Sequence, residues 1–364
     1  MRKRKFFLCI VLLLLFVVGC SKGVGSGEEN IDYFRADIAK EKALEYMGRL
    51  QKGDFEGAKD ILSPELASKF DFKIGKGLSI ASFVPGMITE TGNSVYIEIY
   101  VSKVNKEKPR CDLDKYILKV SNIKGNEYKI EEINSSNVKE VFVRGEELRM
   151  VTADTGSSDV ILRMKDLPVE IFPKEDRIGV QKDNVPKNKF ENLGISYSGG
   201  RIAFSTTNGK DSFLGLALIE DANVTMGKIY SGKELLEESP VDEDSLRKVF
   251  EKPLAQKIIG YDILKDTEIK EMFFTEEENE LLVQYSKRGK ESLGLKIYKN
   301  PNGTPSEIDL ESIFPLDKYS IKFFDEIKSY IIITVDKAKG AKDISQELLG
   351  QYIIDVTEDT IDKI

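Results

Sequence analysis

The sequence contains no histidine, no tryptophan and only three cysteines in 364 residues. Without histidine there is no Ser-His-Asp or Cys-His nucleophile pair, and no imidazole to hold a metal or a haem. Three cysteines cannot supply the four thiolates of a cysteine-only zinc site. No G-x-x-x-x-G-K-[ST] phosphate loop and no EF-hand loop occurs. An excess of positive charge is missing too. With 54 Lys and Arg against 62 Asp and Glu the net charge is −8, which argues against nucleic acid as a partner. No cofactor and no metal are therefore expected. What is present is a hydrophobic fraction of 41%, enough to build real cores, and a length that suggests about two domains.

The longest apolar run lies at the N-terminus. Arg2, Lys3, Arg4 and Lys5 precede thirteen uninterrupted apolar residues from Phe6 to Val18. Thirteen falls short of the roughly 20 needed to span a bilayer but fits the core of a signal peptide. Val17-Val18-Gly19-Cys20 then leads into polar Ser21. This arrangement resembles the lipobox of bacterial lipoproteins. The resemblance implies cleavage between Gly19 and Cys20, a diacylglycerol on the Cys20 thiol, and an address on the extracytoplasmic face of a bacterial cell membrane. Loss of residues 1–19, which hold four cations and no acids, takes the net charge from −8 to −12. Cys9 leaves with the signal, so Cys111 is the one unmodified thiol and no internal disulfide is expected. Cys111 reads as an inert strand-edge thiol. Residues 20–30, rich in Gly and Ser, read as a flexible tether.

Residues 31–137 read as a first folded unit. Phe34, Ile38, Leu44, Met47 and Leu50 recur at helical spacing, and Gly53 stops that helix. Asp54 is placed to cap a second helix. Ser63-Pro64-Glu65 reads as a cap, a first-turn proline and a first-turn acid. From Val95 to Val101 the period changes to two, as in a half-buried strand. Two further strands flank the Lys124-Gly125-Asn126 turn. Helices followed by a curved antiparallel sheet make an α+β unit. The stretches Leu50 to Ala58 and Gly125 to Ile130 resemble the NTF2-like, or cystatin-like, domains of secreted bacterial proteins. Catalytic members of that family use Asp and His in the cone of the sheet. With no histidine here, the resemblance implies a scaffold or a concave binding surface.

Residues 138–364 show a loose repeat of strand, turn, strand, loop and strand. The copies are Val141–Val143 with Leu148–Val151 and Val160–Met164, Gly194–Ser196 with Arg201–Ser205 and Leu214–Ile219, Met272–Phe274 with Leu281–Val283 and Leu293–Tyr298, and Ile321–Phe324 with Ile331–Thr334 and Leu349–Ile354. Gly209 to Leu216 and Gly289 to Leu295 also share wording. Repeated antiparallel units predict an all-β, propeller-like domain of four or five blades. Ser196 to Phe204 resembles the turn of TolB-type propellers, without its Pro and Asp. An ordinary β-sandwich is the alternative. A helix over Asp242–Ile259, with Leu246, Val249, Phe250 and Leu254 on one face, reads as part of a helical insertion near residues 234–260, between blades.

Asp154-Thr155-Gly156-Ser157-Ser158 resembles the D-T-G-S-S loop of pepsin-like aspartic proteases, in which Asp154 would share a proton with a second carboxylate. The second D-[ST]-G of that family is absent, and the same residues suit a polar turn between strands. Glu276-Glu277-Glu278 with Glu280 reads as a solvated hairpin turn. The sequence thus points to a lipid-anchored, outward-facing envelope lipoprotein that binds or scaffolds another envelope protein or a ligand. An aspartic-protease-like hydrolase using Asp154 and a solute-capture lipoprotein of a transporter are the alternatives.

Overall fold

Three helices come first, the second and third started by side-chain caps at Asp54 and Ser63. A computed structural model describes residues 34–69, 77–124, 127–153, 156–174, 181–219 and 252–364. Gly19, Cys20 and the tether, Asp154 with Thr155, and most of the expected helical insertion lie outside these residues. Helix α1 (Ala36–Gln51) buries Ala39, Ala43, Tyr46, Met47 and Leu50. Of the expected stripe, Met47 and Leu50 are buried as read, whereas Phe34, Ile38 and Leu44 are only partly buried against the same core. The small side chains Ala39 and Ala43 let the helix approach the sheet closely, so they hold the central line. Gly53, at φ +74°, turns the chain after α1, a conformation that costs glycine least. Asp54 caps α2 (Phe55–Asp60) by accepting the Gly57 N–H at 3.0 Å. Ser63 Oγ accepts the Leu66 N–H at 3.3 Å at the start of α3 (Pro64–Lys69).

The chain then forms one antiparallel sheet of six strands in sequence order: β1 (Leu78–Thr91), β2 (Ser94–Asn105), β3 (Arg110–Lys124), β4 (Glu127–Arg144), β5 (Glu147–Thr152) and β6 (Ser158–Arg163). In β2 the alternation predicted from sequence is realised, with Val95, Ile97, Ile99 and Val101 all at 0% exposure. These side chains share a core with α1 and with Leu118, Val120, Tyr128 and Ile130. Each such burial stabilises by about 1.5–3 kcal/mol. At the other end of the same strands Val104, Cys111, Leu113, Val141 and Leu148 join a different and larger core. Cys111 is therefore a core residue rather than a strand-edge one. Burial holds its thiol well above the ordinary cysteine value.

The expected division between residues 137 and 138 falls inside β4, which runs from Glu127 to Arg144. The first expected repeat copy is the end of β4 with β5 and β6, so it belongs to the same sheet as the N-terminal strands. Where the sheet passes from one core to the other, the pairing of β3 with β4 skips a residue between Leu113 and Asp114. A polar layer marks the passage. Lys103 and Asp114 form a buried ion pair. Asn137 Nδ2 donates to Asp114 at 2.9 Å, and Arg110 donates two bonds of 2.9 Å to the buried Asp112 carboxylate.

After a two-stranded ribbon, β7 (Glu170–Ile171) with β8 (Asp183–Asn184), three four-stranded antiparallel sheets follow. The first holds β9 (Lys189–Ile195), β10 (Arg201–Thr207), β11 (Ser212–Ile219) and β12 (Ala255–Leu264). The second holds β13 (Thr267–Phe274), β14 (Glu280–Lys287), β15 (Leu293–Lys299) and β16 (Thr304–Pro305). After a short helix α4 (Leu310–Ile313), the third holds β17 (Tyr319–Ile327), β18 (Tyr330–Lys337), β19 (Gly350–Asp355) and β20 (Thr360–Lys363). The molecule is thus mostly β, and its later three repeat copies are separate sheets of one pattern.

Two corrections follow. The expected helix does not include its C-terminal part, because Ala255–Leu264 is strand, rich in the β-branched and aromatic residues Ile258, Ile259, Tyr261 and Ile263. Nor does the insertion join two sheets. It interrupts one, since β11 and β12 pair directly, with Ile219 opposite Ala255. The shared wording of two copies has a packing cause. Gly215 stands opposite Phe204, and Gly294 opposite Tyr285. A Cβ at Gly215 would lie 2.6 Å from the Phe204 ring, and one at Gly294 2.5 Å from the Tyr285 ring. In each sheet an aromatic ring lies over a glycine on the neighbouring strand.

Candidate functional site

The two candidates singled out in the sequence, Cys20 and Asp154, lie outside the described residues. Asp154 falls between the end of β5 at Thr152 and the start of β6 at Ser158. A different place draws attention once the chain is folded. Strands β1 and β17 are each the outer strand of their sheet. Between them and α1 runs a groove of about 650 Å³.

Each wall has a local cause. The β17–β18 hairpin turns at Ile327 to Tyr330 with Lys328 at φ +59°. A register shift between Phe323 and Asp325 leaves Phe324 as the extra residue of a bulge, which re-aims the side chains beyond it. Phe323 packs on Phe273, with ring centroids 4.6 Å apart. Phe324 stays 39% exposed, and Lys52 Nζ sits 4.3 Å from its ring centroid. On the facing wall β1 carries Pro85, which has no N–H to offer at a sheet edge. A Gln51 amide bond of 2.6 Å to the Ala81 carbonyl ties α1 to β1.

The floor is polar. Glu326 accepts the Glu276 N–H at 2.9 Å. Burial pushes its carboxyl up to about 8, and Glu276, Glu280 and Asp325 push the same way. Among the described residues no Lys or Arg forms an ion pair with it. Glu278 is the contrast. Its carboxylate accepts the Ser198 hydroxyl at 2.9 Å and pairs with Arg201 at 3.4 Å. Tyr197 reaches the floor from the β9–β10 turn and donates to the Phe274 carbonyl at 3.3 Å. Burial holds its hydroxyl well above the ordinary tyrosine value, against a smaller opposing pull from nearby Ser82. Ser82 is 7% exposed and lines the groove, and Ser82 Oγ has no well-formed hydrogen bond. Ser102, directly opposite it on β2, is fully buried and likewise makes no well-formed side-chain hydrogen bond.

A second cleft of about 450 Å³ lies over Asp262 and Glu311. Asp262 is 1% exposed but accepts from Lys174 N–H, Ile263 N–H and Tyr298 hydroxyl at 2.8–2.9 Å. A carboxylate satisfied on three sides is a structural anchor.

Sequence reasoning missed the groove because its parts come from five separate stretches of chain. The acidic run at Glu276–Glu280 is only partly the solvated turn it was expected to be. Glu278, half-buried at φ +58°, bonds Ser198, and the Glu276 backbone bonds Glu326. The available signal was Phe323-Phe324-Asp325-Glu326, two aromatics followed by two acids at the end of a strand.

No protein family and no curated protein matches the sequence. Among solved structures, the chain is similar to an acylaminoacyl peptidase at 10% identity and a TM-score of 0.29, over 78% of this chain and 39% of that one. This chain thus spans about two fifths of the peptidase. It is also similar to Hsv2 of Kluyveromyces marxianus at 10% identity and a TM-score of 0.26, over 79% and 86% of the two chains. Hsv2 of Kluyveromyces lactis matches at 8% identity and 0.27, over 77% and 85%. At such scores neither the fold nor the activity of those proteins carries over.

Proposed function

We propose that the chain is a lipid-anchored binding module of the bacterial envelope, with a first, NTF2-like part and a propeller-like part that together hold a partner protein in the groove between α1 and β17. The anchor rests on the basic run, the apolar core and Cys20 at the N-terminus. Two acyl chains on such a cysteine would hold it firmly at a membrane where one would not. The observation that carries the binding reading is the groove itself. It sets an exposed aromatic ring, a half-buried carboxyl with no cation among the described residues and a buried serine hydroxyl beside Tyr197 side by side. Polar groups left unsatisfied in a concave, partly apolar site are what a ligand completes.

The test places a photo-crosslinking residue at Phe324 and, as a control, at exposed Lys342, in intact cells. A discrete adduct from position 324 and none from 342 is expected. Equal adducts from both positions, or none from 324 in a folded protein, would sink the reading. In parallel, Cys20→Ala should abolish labelling by a fatty-acid probe, and labelling that survives would remove the anchor.

A further inference from the structure

Charge and shape in the groove narrow the partner, given that the groove is the binding face. We infer that it takes a lysine or arginine side chain presented by an extended segment of a partner protein, with the cationic head at Glu326 and the alkyl stem along Phe324. Four observations converge. First, Glu326 has one oxygen on a backbone N–H and no cation among the described residues, whereas neighbouring Glu278 is paired with Arg201. A partly desolvated carboxyl next to further carboxylates gains more from an incoming cation than a solvated one does. Second, the exposed Phe324 ring already carries Lys52 Nζ at 4.3 Å, so this wall suits an ammonium and its stem. Third, Ser82 Oγ lines the same groove beside the Tyr197 hydroxyl, and its oxygen can still accept from a guanidinium, an ammonium or a backbone amide. Fourth, the groove is bounded by two outer strands, which favours an extended segment over a helix.

The reading makes the interaction depend on pH. In the free protein burial pushes the Glu326 carboxyl up to about 8, which favours its protonated form. A cation favours its ionised form, so binding releases a proton and affinity rises with pH until the carboxyl is already ionised. The slope is at most tenfold per unit for one proton. The charges around it are Lys40, Glu41, Glu45, Arg49 and Lys52 on α1, Glu276 and Glu280 on the β13–β14 turn, and Asp325 and Lys328 on the hairpin. Burial raises Glu280 as well, so the dependence must be assigned by substitution.

The experiment is fluorescence anisotropy on the full chain in non-ionic detergent. The probes are a labelled Lys-Ser-Leu nonapeptide and its Glu-Ser-Leu counterpart. The lysine peptide is expected to bind at least tenfold tighter than the glutamate one, and to tighten up to tenfold per unit between pH 6 and 8. Glu326→Gln should weaken it at least tenfold and flatten the pH profile, and Phe324→Ala should weaken it without flattening the profile. Lysine-peptide binding that Glu326→Gln leaves unchanged would show attraction to the acidic surface at large and overturn the inference. No lysine-peptide binding, with position 324 still crosslinking a partner in cells, overturns the inference alone and leaves the groove as a binding face. Absence of both removes both. Unfolding curves of each variant confirm that the loss is not one of fold.

Discussion

The two ends of the β2–β3–β4 strands are covered in different ways. At one end α1 lays Ala39, Ala43, Tyr46 and Met47 on Val95, Ile97, Ile99 and Val101, all supplied by a short stretch of sequence. At the other end Cys111, Leu113 and Val141 share a core with Leu193 and Ile195 of β9, Phe273 of β13 and Ile333 of β18, the last 222 residues beyond Cys111. One set of strands thus serves a local core and a long-range core, with the Lys103–Asp114 layer between them. The lesson is that a change from helical to repeated patterning in a sequence need not mark a change of sheet.

The largest effect is expected from separating the two ends of these strands. A fragment of residues 31–137 ends inside β4 and removes Lys139 to Phe142, the partners of β3 residues Leu113 to Arg110. It should show no cooperative thermal transition by circular dichroism, because Cys111 and Leu113 lose their cover. A sharp transition would mean that the helix-covered end stands alone. Next comes the layer between the cores. Lys103→Met leaves Asp114 buried without its cation and should cost about 3–5 kcal/mol in denaturant unfolding. Adding Asp114→Leu should restore most of that loss. A single variant costing under about 1 kcal/mol would show that the layer is solvated.

The two cores are compared directly by Ile97→Ala and Leu148→Ala, both fully buried. Each should cost about 2–5 kcal/mol. If the shared strands couple the cores, both shift one common transition. Separate transitions by tyrosine fluorescence and by far-ultraviolet signal would uncouple them. The seam between α1 and β17 is read through Glu326. A carboxyl whose folded value is raised to about 8 keeps its proton where the unfolded chain, near 4.5, has lost it. The folded state then binds more protons between these values, so stability is greatest below about 4.5 from this group and falls as pH rises towards 8. The melting temperature should fall over that window, and Glu326→Gln should flatten the fall. A parent with no slope removes the burial argument. The smallest effect is expected of Asp154→Asn, within about 1 kcal/mol of the parent, as at a polar turn between strands. Acid-range peptide cleavage that this substitution abolishes would overturn the binding reading.

Much of the local structure was legible. Asp54 and Ser63 form the caps their types favour, and the period of two from Val95 to Val101 is a strand buried on one face. Three strands of each repeat copy were legible from β-branched runs and turn residues, whereas the fourth strands β12, β16 and β20 were not. What escaped was pairing. Nothing in Asn137 or Val138 marks them as mid-strand, because a strand continuing past a register shift looks in sequence like an end and a beginning. The helix over Asp242–Ile259 ran too far because Ile258 and Ile259 fit either period over so short a run. The groove escaped for the same reason as the sheet, since Ser82, Tyr197, Glu276 and Glu326 are brought together only by the packing of distant strands.

The direct pairing of β11 with β12 has a consequence for how this protein can vary. Ile219 and Ala255 stand side by side, so whatever joins them begins and ends at one point on the sheet rim. The closure entropy of such a connection grows only logarithmically with its length, about 0.6 kcal/mol per doubling. That rim is therefore a splice point. A change of length in that connection that keeps Leu254, whose N–H bonds the Val160 carbonyl and whose side chain packs on the larger core, should cost the sheet little.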